Sequence, residues 1–229
     1  MKTRNYKVLS VDVIKYIAVF CMLIDHIAAV FLPEGSVPYV IMRLLGSFTC
    51  PLMCFFVVEG YRHTRNVNRY LIRLYIFALI SQLPYHLINP GVSLNFIFNL
   101  FLAVLFLKIS DSSLQKNKPV LFAVLVLFFG VSLFCDWFFV PLLSVIILYK
   151  FRENAVLKYA LLSIVFTLYA AAADDLFFVF RNMFSIFSVF LLLFYNGEKS
   201  QKFKRFNKWF FYVFYPAHFV LLYLISVLI

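Results

Sequence analysis

Apolar runs long enough to cross a lipid bilayer follow one another along almost the whole chain of 229 residues. A membrane-spanning helix needs about 20 mainly apolar residues, and inside the bilayer it satisfies its own backbone hydrogen bonds. We therefore predict an all-α bundle of about nine transmembrane helices. The predicted spans lie near residues 11–32, 39–61, 68–88, 94–109, 119–135, 137–150, 155–173, 176–195 and 208–228. The sixth is short, and a re-entrant helix would also fit it.

The composition leaves no room for a sizeable soluble domain. Hydrophobic residues make up 64% of the chain and charged residues only 14%, whereas a soluble domain carries about a quarter charged residues. The first apolar run is long and lacks a small-residue cleavage site, which predicts a retained span rather than a signal peptide. We predict one transmembrane domain over residues 1–229.

Basic residues mark every second connection between the predicted spans. The net charge is +11, but its position in the connections argues against nucleic acid binding and follows the positive-inside rule. Lysine and arginine gather at the N-terminus (Lys2, Arg4, Lys7) and in the regions 62–73, 108–118, 150–158 and 199–208, whereas the intervening connections carry Glu34, Asp136, Asp174 and Asp175. This pattern predicts a multi-pass protein of the cell membrane with a cytoplasmic N-terminus and an external C-terminus.

Asp25 and His26 lie inside the first predicted span. Ionisable residues are expensive at that depth and are usually kept for function. Adjacent helical positions point about 100° apart, so one side chain can face a reaction while the other faces a neighbouring helix. Histidine, with its ordinary pKa near neutrality, suits a general base. The alternative is a buried, hydrogen-bonded structural pair.

A second cluster of polar residues, Glu59 to Asn66, lies at the end of the second predicted span. Glu59 and His63 are four residues apart and share a face of any helix that continues this far. Arginines follow at spacings of three and four: Arg62, Arg65, Arg69 and Arg73. Because a guanidinium fork suits phosphate, the group is a candidate site for a phosphorylated cofactor entering from the cytoplasm. The positive-inside rule alone accounts for some of these arginines, but not for Glu59.

Other polar residues interrupt the apolar spans. Arg43 and Arg181 are predicted either to pair with a carboxylate, such as Asp25 or Asp136, or to bind an acceptor. His218, in the last span, is predicted either to line the site or to make a structural hydrogen bond between helices. Polar contacts between helices are predicted for Gln82, Tyr85, His86, Asn95 and Asn99. The four histidines share no spacing typical of metal ligands, so no metal site is predicted.

Several of these motifs resemble the TraX family, which is named for a conjugative pilin acetyltransferase. The resemblance covers most of the chain and is densest from residue 16 to 100. The matching stretches are 24–27, 43–46, 51–52, 59–66, 70–74, 81–85, 95–98 and 214–218. The chain departs from the family at Ser47 and Cys50, where an arginine and a phenylalanine are common. It also departs at Trp137 and Phe138, where an Asp-Tyr-Gly motif becomes Asp-Trp-Phe.

The resemblance implies an integral-membrane acetyltransferase, similar to broader transmembrane acyltransferases, with acetyl-CoA as the donor. His26, oriented by Asp25 or another carboxylate, would deprotonate the acceptor, and Glu59 and His63 would shape the neck of the donor tunnel. The phosphates of acetyl-CoA would bind Arg62, Arg65, Arg69 and Arg73. The acceptor would contact Asp136, Arg181, His218 and Arg43, and Arg43 is also a candidate for steadying the oxyanion. The acceptor stays open: a glycan, a peptide amine, a lipid headgroup or a small molecule.

Two other classes of protein fit the same residues. A transporter or flippase for an anionic solute would use the arginines as a pathway. A non-catalytic membrane scaffold would use Asp25 and His26 for stability alone. The first would move an unmodified solute without binding acetyl-CoA, and the second would lose stability rather than activity when these residues change.

Overall fold

The computed structural model describes residues 8–91, 93–172, 175–198 and 204–229, and this part of the chain is helical, without named strands. The described residues form eleven α-helices: α1 Val11–Phe31, α2 Val37–Gly46, α3 Thr49–His63, α4 Val67–Ile88, α5 Phe96–Ser110, α6 Lys118–Ser132, α7 Val140–Lys150, α8 Ala155–Ala171, α9 Leu176–Ser185, α10 Ser188–Leu193 and α11 Lys204–Leu228. A short 3-10 turn covers Ser113–Lys116. The all-α prediction is confirmed for these residues.

Every predicted span coincides with a helix, but two of them are broken. The second span contains α2 and α3, and the eighth contains α9 and α10. Four segments are long and apolar enough to cross a membrane: Val11–Phe31, Val37–His63, Val67–Ile88 and Trp209–Leu228. The other apolar helices are shorter, so the count of nine spans stays a prediction. The orientation also stays a prediction, and the charges at Lys2, Arg4, Lys7, Asp174, Lys199 and Lys202 lie outside the described residues.

Short polar side chains begin seven of the α-helices. Each side-chain oxygen accepts a hydrogen bond from a backbone N–H of the first turn, which would otherwise lack a partner. These N-cap residues are Ser10, Ser36, Asn66, Asn95, Asn117, Asn154 and Asp175. The caps explain why the helices start where the apolar runs start, and they hold the polar connections at the helix ends.

The chain forms two compact units. The first unit is Met1–Met53 with Phe166–Ile229, and the second is Cys54–Val165. In the first unit, α1 packs against α2 and α11, and α2 packs against α9. In the second unit, α5 packs against α4, α6 and α7. The prediction of a single domain over 1–229 stays a prediction.

Buried amides join α4 to α5 in the second unit. Asn95 is fully buried, and its Nδ2 donates to the Ala78 carbonyl at 2.7 Å and to Gln82 Oε1 at 2.9 Å. Gln82 Nε2 donates in turn to the Ser93 carbonyl at 2.9 Å. These bonds confirm that Gln82 and Asn95 are polar contacts between helices.

We expect Asn95→Ala to lower the free energy of unfolding of the second unit by about 2–4 kcal/mol, because it removes a helix cap and two buried hydrogen bonds. The measurement is unfolding in mixed micelles with a rising fraction of SDS. Asn89→Ala is the matched control, since the one bond that Asn89 Nδ2 makes to the described residues is long, 3.4 Å, to the Tyr85 carbonyl. Equal losses for both variants would contradict the role of Asn95.

Candidate functional site

Asp25 forms an ion pair with Arg43 in the first unit. Arg43 Nη1 lies 2.7 Å from Asp25 Oδ2, and both side chains are mostly buried, with exposed fractions of 17% and 21%. A paired and hydrogen-bonded charge is the form in which a membrane interior tolerates a carboxylate. Of the two sequence alternatives for Arg43, the pairing with a carboxylate is therefore the one seen.

Gly46 makes room for this carboxylate. It is the last residue of α2, and a Cβ atom built on it would overlap the Cβ, Cγ and Oδ1 atoms of Asp25. Any larger residue would have to displace Asp25 or separate α1 from α2. The position of the ion pair therefore depends on the missing side chain at Gly46.

His26 points to a different neighbour. Its Nδ1 lies 3.2 Å from Nε2 of His218 on α11. The Phe219 ring packs edge-on against the His26 ring, with the two ring centroids 4.7 Å apart. The sequence prediction gave His26 a carboxylate as its orienting partner, but the described residues place His218 there. The reason is the rotation of about 100° per residue, which turns Asp25 toward α2 and His26 toward α11.

Backbone carbonyls fix the proton positions along this pair of histidines. His218 Nδ1 lies 3.0 Å from the Phe214 carbonyl, which can only accept, so Nδ1 carries the proton. When both rings are neutral, His218 Nε2 is an acceptor and His26 Nδ1 donates to it.

His26 Nε2 then carries a free lone pair. No described residue is seen to donate a hydrogen bond to it. We call the chain of hydrogen bonds from Phe214 through His218 to His26 the imidazole relay. It leaves one basic nitrogen of His26 open to a further partner.

Two arginines act on the site electrostatically. Arg181 attracts the Asp25 carboxylate, and Arg43 is near enough to influence the charge of His26. The Arg181 guanidinium also lies over the Phe178 ring, with its Cζ 4.8 Å from the ring centroid. The first unit thus brings together five of the residues predicted for the site: Asp25, His26, Arg43, Arg181 and His218.

The second unit holds the other predicted cluster, at the end of α3. Glu59 accepts from Arg62 at 3.0 Å, and its second oxygen lies 3.3 Å from His63 Nε2. These are contacts at i, i+3 and i, i+4 on one helix, as the sequence spacing predicts. Because α3 ends at His63, the ion cluster is the last helical feature before the connection.

The remaining arginines do not form one continuous helical stripe. Arg65 lies in the connection, and Arg69 and Arg73 lie one turn apart on α4. Arg65 and Arg69 are exposed, whereas Arg73 is half-buried, with its Cζ 5.7 Å from the centroid of the Tyr70 ring. A single helical stripe is therefore not formed, and the alternative of a basic rim stays a prediction.

A carboxylate that the sequence analysis did not single out supports this end of the second unit. Asp111 Oδ2 accepts from the Tyr61 hydroxyl at 2.8 Å and from the Tyr149 hydroxyl at 2.6 Å. The bonds tie together the ends of α3, α5 and α7. The only sequence signal was an acidic residue in a basic connection, which does not reveal two tyrosines 50 and 38 residues away.

Asp136 lies in a tight turn of the second unit. Trp137 and Phe138 both have positive φ angles, 63° and 44°, which residues other than glycine rarely adopt. The buried Asn99 amide donates to the carbonyls of Asp136 and Phe138, and this clamp offsets the strain. The turn explains why a glycine suits the third position of the Asp-Tyr-Gly motif.

Comparison with known proteins agrees with the resemblance seen in the sequence. The family profile described as TraX protein matches residues 10–226. A curated relative, the probable fimbrial assembly protein FimC of serogroup H1 from Dichelobacter nodosus, is 33% identical over 235 aligned positions, which cover 91% of this chain and 92% of the relative. No solved structure matches.

We expect Gly46→Ala to lower the free energy of unfolding by about 2–4 kcal/mol, since the new methyl group overpacks the contact and disturbs the Asp25–Arg43 pair. Gly130→Ala is the matched control. Gly130 lies within α6, and nothing lies within 4 Å of the position that its new methyl group would take, so alanine there should stabilise the helix by about 0.5–1 kcal/mol. Opposite signs in the same micellar unfolding assay are the expected result, and a stabilising Gly46→Ala would contradict the close approach.

Proposed function

The chain belongs to the TraX family, and we propose that it is an integral-membrane acetyltransferase that transfers an acetyl group from acetyl-CoA to a hydroxyl or amine acceptor. One observation carries the proposal. The imidazole relay leaves His26 Nε2 unprotonated, and no described residue occupies it. A structural histidine would be expected to use both ring nitrogens in contacts with the protein.

In the proposed reaction, His26 Nε2 removes the proton from the acceptor as its oxygen or nitrogen attacks the thioester carbonyl. The new bond to the acetyl carbon forms, the carbon–sulfur bond breaks, and the CoA thiolate leaves. The proton held by His26 then passes to the thiolate. His218 supports the charged intermediate state of His26, because a hydrogen bond from a cation is stronger than one from a neutral ring.

Asp25 acts on this reaction indirectly. Its carboxylate holds the Arg43 guanidinium in place, and it balances the positive charge that would otherwise oppose protonation of His26. Arg43, Arg181 and His218, all in the first unit, remain the candidates for contact with the acceptor, and acceptor contact by Asp136 of the second unit stays a prediction from the sequence.

Three arginines of the second unit, the exposed Arg65 and Arg69 and the half-buried Arg73, are proposed to bind the phosphates of acetyl-CoA. Planar guanidinium groups form paired hydrogen bonds with phosphate oxygens. Arg62 is already engaged by Glu59, so Arg65, Arg69 and Arg73 would carry most of the phosphate binding. Glu59, Arg62 and His63 would shape the neck of the donor tunnel.

The relative is named a probable fimbrial assembly protein, and this name narrows the range of candidate acceptors. A fimbrial or pilin subunit with a free hydroxyl or amine is therefore the first acceptor to test. A glycan, a lipid headgroup and a small molecule follow. Movement of an unmodified anion across reconstituted vesicles, without acetyl transfer, would favour a transporter instead.

We expect His26→Ala to lower kcat by about 10²–10⁴, which is the usual contribution of a general base, and to leave acetyl-CoA binding nearly intact. His218→Phe should lower kcat by roughly tenfold, since it removes one hydrogen bond of about 1–1.5 kcal/mol. The measurement is acetyl transfer by the detergent-purified protein.

His218→Gln is the control for the relay, because its amide oxygen can accept the bond from His26 Nδ1. We expect it to restore most of the kcat that His218→Phe loses. Near-normal turnover in His26→Ala would refute the base assignment, and equal losses in both His218 variants would refute the relay.

For the donor, we expect Arg65→Ala combined with Arg69→Ala to weaken acetyl-CoA binding by roughly 100-fold, at about 1.5 kcal/mol for each charged hydrogen bond. Binding is measured by calorimetry on the detergent-purified protein. Arg152→Ala is the matched control, since Arg152 is an arginine in a short connection that pairs with the neighbouring Glu153. Unchanged affinity in the double variant would place the phosphates elsewhere.

A further inference from the structure

The half-helices α2 and α9 match each other within the first unit. Each has ten residues and begins with a side-chain cap, from Ser36 and Asp175 respectively. Near the starts of the two helices, the centroids of the Tyr39 and Phe177 rings lie 5.8 Å apart. Near the ends of the helices, the Phe48 and Phe184 rings stack with their centroids 5.3 Å apart. The two helices therefore lie side by side and run in the same direction.

Both half-helices end at a break with the same local chemistry. Ser47 follows Arg43 by four residues, and Ser185 follows Arg181 by four. The Ser47 hydroxyl donates to the Leu44 carbonyl at 2.6 Å, and the Ser185 hydroxyl donates to the Asn182 carbonyl at 2.5 Å. In each case the buried serine hydroxyl bonds a carbonyl three residues back, in the last turn before the break.

If each half-helix begins at the surface of the bilayer, its length places the break at depth. Ten residues at about 1.5 Å each give roughly 15 Å, which is half of a hydrocarbon core of about 30 Å. Backbone outside a helix is tolerated there only where protein or a polar cavity surrounds it. In membrane proteins, discontinuous helices of this kind commonly form the substrate site.

The charges beside the breaks favour an anion. Arg43 has five N–H donors, but its one hydrogen bond in the described chain is to Asp25. Its buried Nε has no hydrogen-bond partner there. Arg181, at the matching position of α9, adds positive charge near the same carboxylate. An incoming oxyanion would satisfy the remaining donors of Arg43 in fork geometry.

We propose that α2 and α9 form the acceptor-binding element and that the acceptor carries a carboxylate or phosphate group, which Arg43 and Arg181 contact. This inference rests on the proposed acetyl transfer, with His26 as the base in the same unit. The proposed acceptor therefore carries a nucleophilic hydroxyl or amine close to a carboxylate or phosphate oxyanion.

The test compares acceptors that share a nucleophile and differ in charge. Glycerol 3-phosphate is compared with glycerol, and serine with serinamide, using acetyl-CoA consumption by the detergent-purified full chain. We expect KM to be at least roughly tenfold lower for the anionic member of one pair, and the pair that shows it separates phosphate from carboxylate. Equal KM values within both pairs would overturn the proposal.

Variants then assign the preference to the half-helices. Arg181→Gln should remove the preference for the anionic probe, and Arg181→Lys should keep part of it. Arg152→Gln, which removes an arginine outside both proposed sites, should change neither KM. A preference that survives in Arg181→Gln, with that variant folded, would remove Arg181 from the site.

Direct binding separates this inference from the proposed reaction. Binding of glycerol 3-phosphate and of serine is measured by calorimetry without acetyl-CoA, in the unmodified chain and in Arg181→Gln. Binding that the variant loses, with no transfer to any probe, would support the anion site and refute the acetyltransferase. Competition by phosphatidylglycerol in nanodiscs would identify a lipid headgroup as the source of the anion, and absence of competition would identify a soluble one. No binding of either probe would overturn the inference.

Discussion

The ion pair between Asp25 and Arg43 is the interaction on which the first unit depends. A lone carboxylate or guanidinium is costly inside an apolar bundle, so each residue requires the other. Gly46 permits the contact, and the pair in turn fixes α1 against α2. With α1 held in this rotation, the next residue, His26, faces α11 and meets His218. The geometry of the imidazole relay therefore follows from the packing around one carboxylate.

The charged residues have different surroundings in the two units. In the first, Asp25, Arg43 and Arg181 are drawn together near the two imidazoles, which suits proton transfer in a site of low polarity. In the second, Asp111 is held by two tyrosines, and Arg65 and Arg69 are exposed, which suits binding of a soluble polyanion. In the proposed reaction, the first unit would supply the base and the second a surface for the charged donor.

The sequence predicted the helices well because apolar runs and polar caps are local signals. The divergence of Asp25 and His26 also follows from helical rotation alone. The breaks after Gly46 and Ser185 were not predicted, because hydropathy continues across them and a serine is common in any helix. The partner of His26 was missed for another reason: His218 lies 192 residues away, and single-sequence spacing carries no information about such a contact.

The imidazole relay also has a consequence for the membrane potential. Chains of ionisable groups inside a bilayer can conduct protons and dissipate the gradient across it. Here His218 donates its Nδ1–H to the Phe214 carbonyl, and an amide oxygen cannot pass a proton onward. The relay therefore ends at the Phe214 carbonyl. Under the proposed function, His26 would act as a base inside the bilayer without opening a path for protons across it through His218.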